Sequence, residues 1–139
     1  MTRSWKEKDF ERELGHWITE RLREGFISRS FPYETKVSKG GTLPFARFES
    51  QQLPALEMAT KNGWRYKISD SGMGTKPCDG VVFSNAEAYV FVMFHVKQRA
   101  QFDFFQIPIA YMLEQQQLGK KSIKEKELPA DWKKNLHNL

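Results

Sequence analysis

Cysteine is nearly absent. Cys78 is the single thiol in 139 residues, so no disulfide can form within the chain. Neither it nor His16, His95 and His137 stand at zinc-ligand spacing, which removes the disulfide-scaffold and zinc-finger classes. Long apolar runs are missing too: the longest, Ala88 to Phe94, has seven residues, against about 20 needed to cross a bilayer. The polar start MTRSWKEKDFERE holds no signal-peptide-like apolar stretch. These absences lead us to expect a soluble, intracellular (cytoplasmic) protein with no membrane partner. There is no Gly-x-x-x-x-Gly-Lys loop, so no nucleotide cofactor is expected. Repeats, low-complexity tracts and composition breaks are lacking as well, which leaves one domain over residues 1–139.

Against these gaps stand many aromatics. They make up 14% of the chain, with eleven Phe and four Trp, too much oily surface for a disordered polymer. A chain of this length buries roughly two-thirds of its unfolded surface. The net charge is +5 with a pI near 9.4, which permits attraction to phosphate but does not by itself identify a partner.

Hydrophobic period sketches the elements. Ser4 with Glu7 reads as a capping box, and Phe10, Leu14, Trp17, Ile18 and Leu22 recur at helical spacing until Gly25. In Phe31 to Val37 alternate residues share faces: Phe31, Tyr33, Thr35 and Val37 on one, Glu34 and Lys36 on the other. Pro32 makes this an edge strand or a bulge. A second helix begins after Ser50 and stops at Asn62-Gly63, with Gln52, Leu56 and Ala59 as its inner stripe. Trp64 to Ile68, Asp79 to Phe83 and Ala88 to Phe94 read as strands, the last two joined as a hairpin through Ser-Asn-Ala. Phe102 to Ile109 is another apolar stretch. From about Gly119 the chain is Lys-rich and reads as partly helical or loose. The order predicts an α/β fold, a mixed β-sheet flanked by helices.

The chemistry-bearing residues begin with Glu34-Thr35-Lys36. An acid and a lysine two apart on a strand project side by side, as a metal-assisted phosphodiester hydrolase requires. The triplet alone is uninformative, since Asp131-Trp132-Lys133 is another. On the first helix a 100° step puts Glu11 about 55° from the centre of the apolar stripe and Glu13 about 105° away. Glu11 should therefore lean inward and need either a metal or a salt bridge, to Arg21 or Lys36. Lys39, Arg47, Lys76, Lys97, Arg99 and the Lys120 to Lys126 cluster are candidate phosphate contacts or simply solvated charges.

Taken in order, several pieces form a resemblance. Tyr33-Glu34-Thr35-Lys36, Gly41-Thr-Leu-Pro44-Phe45 and Gln51-Gln52-Leu53 together resemble the catalytic stretch of RecU-type Holliday junction resolvases. The likeness continues through Ala88 to Phe94, Phe104-Phe-Gln-Ile-Pro108 and Lys120 to Lys124. Phe10-Glu11-Arg-Glu-Leu14 is similar to the first helix of archaeal Holliday junction resolvases, whose matching glutamate belongs to the active site. The resemblance implies a restriction-endonuclease-like core of the PD-(D/E)xK superfamily. It further implies DNA, branched or not, as substrate, Mg2+ or Mn2+ as cofactor and a homodimer. Glu34 would then be a metal ligand with the Thr35 carbonyl, Glu11 a helper, Lys36 the residue that places the attacking water, and Gln52 a contact to phosphate or metal-bound water.

One departure stands out. In those relatives an aspartate precedes Glu-x-Lys on its own strand, and here no such strand fits between the first helix and Phe31. Asp79, in Pro77-Cys78-Asp79, is the expected replacement, on a strand beside that of Glu34, with Asp70 as the second candidate. Both also suit ordinary turns. His95-Val96-Lys97 is a rival to Glu34-Lys36, with an imidazole where Mg2+ prefers oxygen. The alternative function is a catalytically inactive nuclease-fold module that binds nucleic acid or protein.

Overall fold

The computed structural model describes residues 3–23, 31–67, 80–83, 87–98 and 102–137. In chain order its elements are β1 (Arg3–Ser4), α1 (Glu7–Arg23), β2 (Tyr33–Val37), β3 (Thr42–Pro44), α2 (Gln52–Asn62), β4 (Trp64–Lys67) and β5 (Gly80–Phe83). They continue with β6 (Tyr89–Met93), β7 (Lys97–Gln98), β8 (Asp103–Pro108), α3 (Ile109–Gln117), β9 (Ser122–Lys124) and β10 (Lys133–Asn135).

The apolar run around β6 explains the architecture. A strand apolar on both faces must be covered on both, and β6 lies inside a four-stranded sheet of order β10-β8-β6-β2. β2 runs parallel to β6, whereas β8 and β10 are antiparallel to their neighbours, so the sheet is mixed as expected. Val90 and Val92 with Phe105 and Ile107 face α2 and α3, where Leu53, Leu56, Ile109 and Met112 close one core. Phe91, Met93 and Phe104 face the other way, against Trp5 and the α1 residues Phe10, Leu14 and Trp17. Each such large side chain contributes about 1.5–3 kcal/mol by leaving water.

Local details correct the sequence reading. The first helix is capped two residues later than expected: Asp9 accepts the Lys6 N–H (3.4 Å), while Ser4 is engaged in β1 against β7. α2 buries Leu53, Leu56 and Ala59, so its inner stripe starts at Leu53 and not at Gln52. Gly63 ends it with φ 74°, a conformation that a Cβ would oppose.

β5 pairs with β4 (Trp64 opposite Phe83, Lys67 opposite Gly80), and among the described residues it makes no hairpin with β6. Pro108 ends β8 and its fixed backbone starts α3, a helix absent from the sequence reading. The Lys-rich segment is ordered: β9 pairs with β3, setting Ile123 opposite Leu43, and β10 extends the sheet beside β8. Lysines on that segment disguise an alternation whose inward residue, Ile123, is almost fully buried.

Candidate active site

Glu34 and Lys36 owe their common face to the pleat. In the parallel register Glu34 lies opposite Val90 and Lys36 opposite Val92, while Thr35, between them, is buried on the reverse face. Among the described residues β2 has only β6 as a ladder partner, so it forms that edge of the sheet. Side chains from both layers can meet there. From α1, packed on the opposite face, Glu7 reaches around to the Lys36 ammonium, with Oε1 3.6 Å from Nζ; Glu34 Oε1 lies 3.4 Å from the same nitrogen. Arg47, in the 3-10 turn Phe45–Arg47, sets one guanidinium nitrogen 3.4 Å from Glu7 Oε2 and donates from another to the Val37 carbonyl (3.0 Å). The Phe48 ring lies 5.3 Å from Nζ, a cation–π contact that shields the ammonium further.

The Lys36 side chain is 8% exposed and that of Glu34 25%. Burial pushes the Glu34 carboxyl above the ordinary glutamate range; Lys36 pulls it back through charge and a hydrogen bond, and Glu7 and Glu11 push it up again. The Tyr33 phenol is likewise raised, first by burial and then by the charge of Glu11. The result is two acids, Glu7 and Glu34, on one shielded lysine, with Glu11 acting on Glu34 through its charge alone. Such a set can hold a cation, orient a donor toward an anion, or satisfy itself as an ion-pair network.

Not every expected residue joins it in the expected manner. Glu11 is exposed and Glu13 half-buried, the reverse of the prediction. Among the described side chains of α1 the buried ones are Phe10, Leu14, Trp17 and Arg21, with Ile18 only partly covered. Glu11 lies about 90° from the centre of the stripe these four describe, and Glu7 about 50°. Arg21 instead lies 4.5 Å over the Trp17 ring. Glu7, read from the sequence only as a capping residue, is the α1 acid that touches Lys36. Its signal was present, because Glu7 and Glu11 stand one helical turn apart on one side.

Gln52 turns back to accept the Glu49 N–H (3.0 Å), which commits its amide oxygen to the start of α2. Asp79 and Asp70 lie outside the described residues, although the strand that follows Asp79 pairs with β4 and not with β2. The rival triplet is not laid out on one strand face. His95 sits in a left-handed bend after β6 (φ 54°) with Nε2 2.7 Å from Glu125 Oε2, and Lys97 belongs to β7 beyond it.

Glu34 and Glu7 offer hard oxygen donors of the type Mg2+ and Mn2+ accept. Among the described residues, however, no group of three or more His, Cys, Asp or Glu is arranged to hold a metal ion. A complete donor set would need an acid such as Asp79 or Asp70. No known protein family, curated protein or solved structure matches this chain. Among the described residues no helix is long and apolar enough to cross a membrane.

Proposed function

We propose that this chain is a divalent-metal-dependent DNA endonuclease, a phosphodiesterase of the Holliday junction resolvase type on a restriction-endonuclease-like core. The observation that carries the reading is the Lys36 ammonium, nearly buried on an edge strand within 3.4 Å of Glu34 and 3.6 Å of Glu7. Support also comes from the parallel link of β2 to β6 with α2 between them, which keeps the order of the resemblance.

In this reading Glu34, the Thr35 carbonyl and Asp79 hold the ion, and Glu11 adds negative charge nearby. A bound Mg2+ or Mn2+ would neutralise charge developing on the phosphate. Lys36 opposes the rise that burial imposes on the Glu34 carboxyl and donates toward the attacking water or a phosphate oxygen. Arg47, 44% exposed at its side chain, faces outward enough to meet a neighbouring phosphate. A four-way junction offers two symmetric strands, so the reading includes a twofold dimer.

The second reading, an inactive nuclease-fold module that binds nucleic acid or protein, is favoured by one feature: Glu7, Glu34, Lys36 and Arg47 already satisfy one another. Cleavage separates the two. Labelled four-way junction, duplex and single strand are incubated with Mg2+, Mn2+ or EDTA, comparing wild type with Glu34→Ala, Lys36→Ala and Asp79→Ala. The nuclease reading expects metal-dependent cutting, reduced about 100-fold or more in each variant. Binding without cutting in all four proteins transfers the assignment to the module.

A further inference from the structure

β2 and β6 run parallel and end at Val37 and Met93. Beyond them the chain bends over the same end of the sheet, where His95 N–H donates to Gly40 O (3.1 Å) and Val96 N–H to Ser38 O (3.0 Å). Crevices outside the carboxyl ends of such strands are the places where open α/β sheets bind ligands. A cleft of about 660 Å3 opens here, between this loop pair and the segment that carries β9, a size suited to a small organic ligand.

Its lining has two characters. Lys124, Lys126 and Lys133 bring positive charge, and the one acid among the lining residues, Glu125, is already engaged by His95. Lys133 is held 3.6 Å from Asp103, whereas Lys124 and Lys126 have no carboxylate partner among the described residues. The floor is apolar, with Phe105 and Leu128 buried beneath the opening. Inorganic phosphate needs no apolar floor, and an uncharged ring needs no lysines. A nucleotide uses both: the base covers the floor and the phosphate meets the free ammonium groups. At the rim His95 keeps a left-handed backbone, uncommon for a residue with a side chain, as at sites where geometry is held for a ligand.

We infer that this cleft binds one nucleotide through Lys124 and Lys126, and that in the working protein this nucleotide belongs to an unpaired DNA strand. The strand as its source rests on the nuclease reading; the nucleotide itself does not.

The test is a titration of 15N-labelled full-length protein in EDTA with thymidine monophosphate, thymidine, inorganic phosphate and a short oligothymidylate. The monophosphate is expected to shift the amide signals of Gly41, Thr42, Lys124 and Leu128 in a saturable manner, with unphosphorylated thymidine inert. The double substitution Lys124→Glu and Lys126→Glu should weaken binding about tenfold or more. The milder Lys124→Gln and Lys126→Gln pair should weaken it less, with an unchanged melting temperature. Oligothymidylate binding more tightly than the monophosphate supports the strand; the opposite order overturns that source. Shifts confined to other residues, or unaltered affinity in the charge-reversed protein, overturn the cleft. Glu34→Ala separates the two sites. It is expected to lose cutting and keep cleft binding; cleft binding by a wild type that never cuts DNA removes the nuclease reading alone, and metal-dependent cutting by a wild type without cleft binding removes this inference alone.

Discussion

Glu34 is held in a carboxyl environment that disfavours its own charge. Burial is the largest cause and neighbouring acids add to it, so the carboxyl titrates above its reference value of 4.5 despite the opposing pull of Lys36. A carboxylate raised in the folded state contributes stability that is fully present below its unfolded value and is lost as the pH rises through the raised one. Glutamine has no such charge to expose. Glu34→Gln should therefore gain stability relative to wild type as the pH climbs from about 4 to 8. Urea denaturation at both ends of that range is the check, and a relative loss on raising the pH would remove the electrostatic account. The pairing of Glu34 with Lys36 was legible in the sequence because strand alternation is a short-range property. Glu7 was not, because an apolar period leaves out Arg21, which the chain buries against Trp17 on the same face of α1. An arginine stacked on an indole carries no apolar signature, yet it takes a place in the buried face of the helix.

At the scale of elements, the legible parts were those whose evidence is local. The 3.6-residue period of α1, the doubly apolar β6 and the edge position implied by Pro32 all appear in the structure. Pairing choices were harder, because β5 could join either neighbour and the structure selects β4. The segment after Gly119 was read as loose for a similar reason: its order comes from β3 and β8, far away in the chain. Ile123 is its anchor, 1% exposed beside Leu43. Ile123→Ala is expected to cost about 2–5 kcal/mol, whereas Lys121→Ala, an exposed neighbour, should stay within about 0.5 kcal/mol of wild type. Chemical denaturation of the pair measures both, and equal small effects would mean that β9 is a passive strap.

In the whole molecule the largest sheet among the described residues is mixed and four-stranded with a core on each face, and the net charge is +5. Glu34 and Lys36 stand on its edge strand, and the lysine-rimmed cleft opens beyond the carboxyl ends of the parallel pair. If both meet one nucleic acid, binding should release counterions from several phosphates at once. Affinity for a DNA junction in EDTA is then expected to fall about 10- to 100-fold between roughly 50 and 200 mM salt. Fluorescence anisotropy reads this directly, and a flat salt response would count against DNA as the partner. The candidate site was legible as a residue pair but not as a place, since only the fold reveals that β2 lies at an edge and that both layers meet there.

The seal of β9 over β3 has a consequence for biosynthesis. Leu43 is completely covered, yet the strand opposite it is made some eighty residues later, as Ser122–Lys124 leaves the ribosome. Until then the nascent chain carries Leu43 without its cover and β8 without β10. Completion of the sheet is therefore a post-emergence event, and a chain arrested before residue 122 is a natural client for chaperones that recognise open apolar surface.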